Sequence, residues 1–236
     1  MSTIISRSLD TTVGPRFLSI SNTDLLGLVR ETAAPFGISE QDVRVVGNDR
    51  RMIATVTLPN LAFAGSEGLL IPRLFVRNEN TGGRAMSIGV GLFRMICSNG
   101  LMLGVPGMSF SAKVRHVDGP KAHGLLDILP SIFADALRFI GDGELENEVD
   151  AAREVEVYGT DHAIQIVGNL PTGQRIKDSV VDALIMERYR PEDAPTSAWN
   201  VYNLVNEHTR ARSRSELAAL TKDENLLSDV MLLAAG

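Results

Sequence analysis

The chain has 236 residues, of which 44% are hydrophobic and 22% charged, with four histidines, one cysteine and a formal net charge of -6. A chain of this length removes roughly 70% or more of its unfolded surface from water, so a sizeable core needs no staples, and the ordinary composition excludes fibrous and wholly disordered classes. The lone Cys97 excludes an internal disulfide framework and any zinc site built on two thiolates, and the absence of an apolar run near 20 residues argues against a signal peptide or membrane span, so a cytoplasmic protein is expected.

Residues 1–17 read as a flexible N-terminal arm, followed by a single domain over 18–236. Ser21-Asn22-Thr23-Asp24 offers caps for a short helix through Leu25, Leu28 and Val29, which Pro35 and Gly37 end. Val43 to Val46 and Met52 to Leu58 flank Gly47-Asn48-Asp49-Arg50, a hairpin pattern closed by Pro59. Leu69 to Arg77 and Arg84 to about Arg94 form a second hairpin around a Gly- and Asn-rich turn.

In the latter strand Met86, Ile88, Val90 and Leu92 alternate with Ala85, Ser87, Gly89 and Gly91, giving one bulky face and one nearly bare face. A bare face predicts close approach of another element. The sequence Gly89-Val90-Gly91 lacks the third glycine of a dinucleotide fingerprint, and Ser98-Asn99-Gly100 reads as a turn.

From Ala122 the period changes. Leu125, Leu126, Leu129, Ile132, Phe133, Ala136, Leu137 and Ile140 recur at three-and-four spacing, then further helical patterns run through Leu145 to Val157 and Ile176 to Ile185. Pro191 to Pro195 is a linker, Thr196 or Ser197 caps a helix carrying Trp199, Tyr202, Leu204 and Val205, and a last helix runs from Ser215 towards Leu233. Strands concentrate in 40–120 and helices in 121–236, which predicts an α+β fold with an antiparallel, hairpin-rich sheet first and helices after it.

Charge is segregated along the chain. From Ile71 to Lys121 seven basic residues face two acidic ones, a balance of +5; from Ala122 to Asp161 two basic residues face ten acidic ones, a balance of -8. Arg73, Phe75 and Arg77 alternate onto one face of a strand, and Lys113 and Arg115 share a face of a later one. With Arg84, Arg94 and Lys121 these form the candidate nucleic-acid-binding set, because cations meet phosphates and an interleaved ring can stack on a base.

Two groups of residues resemble a known family. Leu74-Phe75-Val76-Arg77-Asn78-Glu79-Asn80 with Gly91-Leu92-Phe93-Arg94-Met95-Ile96-Cys97-Ser98-Asn99-Gly100-Leu101, and Thr196 to His208 around Trp199, resemble phage/plasmid-like proteins of domain-of-unknown-function family 932 over roughly Leu69 to Arg212. The third stretch departs from the family pattern near Leu204 and Asn206. The resemblance implies a mobile-element setting in a host cell cytoplasm, with DNA metabolism as neighbourhood. A hairpin-rich sheet followed by helices is also similar to single-strand annealing proteins of the RecT, Erf and Redβ kind.

The expectation is therefore a non-enzymatic protein that binds or anneals single-stranded nucleic acid, DNA above all, as a homo-oligomer. The alternative is a protein-binding module of a mobile element, such as an inhibitor of host defence. A third reading, a cysteine hydrolase, would pair Cys97 with His116, His123 or His162. No cofactor is expected, and the histidines show no paired metal spacing such as HExxH.

Overall fold

A computed structural model describes residues 5–7, 17–65, 68–82, 86–94, 99–102, 113–114, 125–212 and 226–236. The fold is α+β, with antiparallel strands in the first half and helices in the second. The chain divides into two compact units that interleave in sequence. One gathers Met1–Leu61, Pro72–Val90 and Met108–Gly141; the other gathers Ala62–Ile71, Gly91–Gly107 and Asp142–Gly236.

In the first unit, β1 (Ile5–Arg7), within the expected arm, pairs antiparallel with β2 (Leu18–Ile20). Helix α1 (Asn22–Ala33) starts where expected: the Ser21 hydroxyl accepts from the Asp24 N–H at 3.3 Å, satisfying one of the donors a helix start leaves open. A 3-10 turn at Ala34–Phe36 follows, and Gly37 closes it at φ 74°. Leu25, Val29 and Ala33 form the buried stripe of α1.

The first hairpin is β3 (Val43–Asn48) and β4 (Arg51–Thr57), paired from Val43 opposite Val56 to Asn48 opposite Arg51. Gly47 holds φ 129°, and a Cβ there would fall onto the Arg51 carbonyl oxygen, so the tight turn requires glycine. Strand β4 pairs next with β6 (Gly68–Glu79), from Arg51 opposite Glu79 to Thr57 opposite Arg73. Next in order comes β7 (Met86–Arg94), and β9 (Lys113–Val114) pairs with its start, Lys113 opposite Ser87. Helix α2 (Leu125–Gly141) packs on α1 and buries Phe133, Ala136, Phe139 and Ile140.

The bulky face of β7 is buried at Met86, Ile88, Val90 and Leu92. The opposite face behaves otherwise than expected at Gly89, where a Cβ would meet nothing within 4 Å. Among the described residues no element presses on the backbone there, so packing by them is not the reason for that glycine.

In the second unit, β5 (Phe63–Gly65) pairs with the start of β6, and β8 (Asn99–Met102) pairs with the end of β7. Asn99 and Gly100 thus belong to a strand rather than the expected turn; Arg94 opposite Asn99 sets the register. The helices are α3 (Glu144–Glu154), α4 (Gly159–Asn169), α5 (Gln174–Ile185), α6 (Ala198–Ala211) and α7 (Leu226–Ala234). Residues 213–225, where the last helix was expected to begin, lie outside the described residues.

Helix α6 is the centre of this unit. It begins at Ser197, whose hydroxyl accepts from the Asn200 N–H at 3.3 Å, and it packs against α3, α4, α5 and α7. Burial on nearly every side follows: Trp199, Val201, Tyr202 and Val205 are fully enclosed, with the Arg153 guanidinium 5.8 Å from the Trp199 ring centroid. Trp199 and Tyr202 are core residues. No helix among the described residues is long and apolar enough to cross a membrane.

Candidate nucleic-acid interface

The register of β3, β4 and β6 decides which side chains share a face, because residues directly opposite in a ladder point the same way. Arg44 lies opposite Thr55 and Thr55 opposite Phe75; Val46, Ile53 and Arg77 form the next row, then Asn48, Arg51 and Glu79. Thr57 opposite Arg73 completes the face. Four arginines, Arg44, Arg51, Arg73 and Arg77, therefore occupy one face of three adjacent strands, against the single carboxylate of Glu79.

Exposure grades across that face. Arg44 is exposed and the Arg51 side chain is 56% exposed, Arg73 is intermediate, and Arg77 is 5% exposed. The Arg51 guanidinium donates to Glu79 Oε1 at 3.1 Å, and Thr81 Oγ1 donates to the same oxygen at 2.6 Å, so the buried carboxylate is satisfied by a cation and a hydroxyl. What remains towards solvent is a rim of Arg44, Arg51 and Arg73.

Phe75 corrects the sequence reading. It is 2% exposed, and with Ile53 and Thr55 beside it in the ladder it fills core space. A ring without solvent access cannot stack on a base, so the cation–ring–cation alternation of Arg73, Phe75 and Arg77 does not describe an open binding strip. Arg77 is likewise interior. Arg94 and Lys113 fall in β7 and β9 as expected of strand residues, whereas Arg84, Arg115 and Lys121 lie outside the described residues, as do Cys97, His116 and His123.

Sequence reading missed Arg44 and Arg51. Both precede the basic window that begins at Ile71; the hairpin pattern that placed β3 beside β4 was the signal that could have brought them in.

The asparagines of the Leu74–Asn80 stretch have a structural role. Asn78 Nδ2 donates to the Ile20 carbonyl at 2.9 Å and to Asn22 Oδ1 at 2.6 Å. Asn80 Oδ1 accepts from the Ile20 N–H at 3.0 Å, and its amide donates to the Asp49 carbonyl at 3.2 Å. Asn22 in turn donates to the Asn48 and Asp49 carbonyls at 2.7 and 3.0 Å. This network ties the end of β6 and the start of α1 to the β3–β4 turn beside Arg51, while Arg44 and Arg73 lie towards the other end of the ladders.

Residues 11–125 match the model of the family Domain of unknown function (DUF932). The match supports the family resemblance carried by the Leu74–Asn80 and Gly91–Leu101 stretches. Its bounds differ from those read in the sequence: the DUF932 match starts upstream and ends before the Thr196–His208 stretch. Every candidate cation, Arg44 and Arg51 included, lies inside the DUF932 span. Compared with curated proteins and with solved structures, the chain matches none.

A second polar arrangement lies between α5 and α6, where Ser179 Oγ and His208 Nδ1 are 2.7 Å apart. Burial is the main cause that lowers the His208 pKa from its ordinary value, Glu207 opposes the shift and Arg212 adds to it. Ser179 is buried in mid-helix, 8% exposed. A hydroxyl so enclosed serves as a link between helices, since a nucleophile must reach substrate.

Proposed function

We propose that this chain is a non-enzymatic single-strand nucleic-acid-binding protein of a phage or plasmid, holding the phosphate backbone on the arginine-bearing face of β3, β4 and β6. The observation that carries the reading is the register, which brings Arg44, Arg51 and Arg73 to the solvent-facing margins of one sheet face, with Arg77 interior and Glu79 paired with Arg51. Guanidiniums suit phosphates through bidentate geometry and permanent charge. Contacts made to phosphates alone carry no base preference, so the protein is expected to bind without strong sequence selection.

The test is fluorescence anisotropy with a labelled oligo-dT across a salt series. Each phosphate contact should contribute about -0.7 to the slope of log affinity against log salt. Arg44→Gln with Arg73→Gln should weaken binding and flatten the slope, whereas the paired lysine replacements should retain most of it. Equal binding by a correctly melting double Gln variant, or no binding at low salt, would reject the site. Phe75→Ala is not a binding variant: its cost, about 3–5 kcal/mol for a buried phenylalanine, falls on the fold.

Docking of a protein partner is the second reading. It is favoured by an apolar cleft of about 270 Å³ in the first unit, lined by Phe36, Ile38, Leu58, Leu61 and Leu137, with Phe36 47% exposed. Absence of nucleic-acid binding with an intact fold would move the assignment there.

A further inference from the structure

The second unit carries an open cleft of about 590 Å³ whose lining includes Glu154, Glu156, Tyr158, His162, Ala234 and Ala235. We propose that this cleft binds an organic cation, an ammonium or guanidinium group, seated on the Tyr158 ring between the Glu154 and Glu156 carboxylates. The inference is independent of the arginine face, which lies in the other unit.

Tyr158 is 74% exposed and its ring stands beside one neighbouring ring. It stacks on the His162 imidazole with centroids 5.6 Å apart and planes 11° from parallel, and the Tyr158 N–H donates to His162 Nδ1 at 3.1 Å. One face of the phenol is thereby covered and the other left to solvent. The adjoining chain is held: the Val157 N–H donates to the Thr196 carbonyl at 3.0 Å and the Ala198 N–H to the Val155 carbonyl at 2.9 Å, while Val157 is 5% exposed. With Val157 turned inward, Glu156 and Tyr158 fall on its opposite side, because neighbours alternate in extended chain. The backbone that carries the ring is held in place, which lowers the ordering cost of binding.

Single exposed aromatic residues are common and carry no site alone. Here the ring borders a cleft with two exposed carboxylates, and among the described residues neither Glu154 nor Glu156 has an ion-pair partner. Charge also decides the class of occupant. An exposed ring could stack on a base, but the attached phosphates would meet Glu154, Glu156 and the exposed Asp161, whereas a cation gains from the same carboxylates and from the ring quadrupole.

Two sources supply such a group, a free polyamine and a basic side chain, and NMR titration of the folded chain with spermidine and separately with N-acetyl-arginine amide distinguishes them. Sodium chloride at matched ionic strength serves as the blank. Saturable shifts of the Tyr158 and His162 ring signals and the Ala234 amide are expected with at least one probe. Tyr158→Leu should weaken binding about two- to fivefold, in keeping with an exposed cation–π contact, and Tyr158→Phe should retain it. Glu154→Gln with Glu156→Gln should weaken it further and remove its salt dependence. Shifts spread over Glu144, Glu146 and Asp150, which lie on α3 outside the cleft, or equal affinity in Tyr158→Leu and wild type, would overturn the proposal.

Discussion

Phe75 and His208 are both residues whose meaning depends on burial. Phe75 sits between two arginines in a strand, and alternation alone sends all three to one face; only burial tells that the face is interior at that point. His208 lies half-buried against Ser179. Its imidazole has a lowered pKa, desolvation first among the causes, so the folded state takes up the proton less readily than the unfolded chain, whose value is near 6.5. Its contribution to stability is therefore complete above about pH 6.5 and is lost as pH falls, because protons then favour the unfolded state. Melting temperatures of wild type and His208→Gln measured from pH 8 to pH 5 should converge towards acid, with wild type losing more. Parallel curves would show that this imidazole does not couple folding to pH.

Among the elements, two glycines in adjacent hairpins have opposite standing. At Gly47 both the left-handed φ of 129° and the Arg51 carbonyl exclude a side chain, so Gly47→Ala should lower stability and distort the β3–β4 turn that positions Arg44 and Arg51. At Gly89 a methyl group enters open space, and Gly89→Ala should fold with wild-type stability or slightly better. Urea unfolding of the two variants is the comparison, and a costly Gly89→Ala would mean that the bare face of β7 is occupied. Hairpins, caps and the change of period near Ala122 were legible because each is a local property. Helix α4 was not, since Gly159 and Gly168 weaken its propensity and only Ala163, Ile166 and Val167 mark its buried stripe. Asn99-Gly100 misled for the converse reason, a strong turn dipeptide overridden by pairing with β7. The arginine face was half legible. Arg73 and Arg77 follow from alternation, but Arg44 joins them only through two ladder registers, and no window along the chain contains that information.

At the scale of the molecule, a net charge of -6 conceals a +5 stretch followed by a -8 stretch. Such a chain has two ways to use its cations: to bind phosphates, or to bind the acidic stretch of another copy. Helix α3 offers the latter partner, with Glu144, Glu146, Asp150 and Glu154 all exposed. Glu148 on the same helix has its pKa raised, by burial first and by the Glu144 carboxylate second, so it already holds its charge at a cost. A cation brought close by a second copy would relieve that repulsion. Self-association of this kind is electrostatic, and salt should dissolve it, since the screening length falls from about 10 Å at 0.1 M to about 3 Å at 1 M. Size-exclusion chromatography with light scattering should therefore give a multiple of the single-chain mass at low salt and the single-chain mass near 1 M. An oligo-dT competing for the same arginines should also reduce the multiple. Glu144→Gln with Glu146→Gln should weaken association while leaving oligonucleotide binding in place, because those carboxylates do not meet phosphate. A single-chain mass at low salt, free of nucleic acid, would end the case for the oligomer. A multiple that persists at 1 M salt would instead assign the contact to apolar surface.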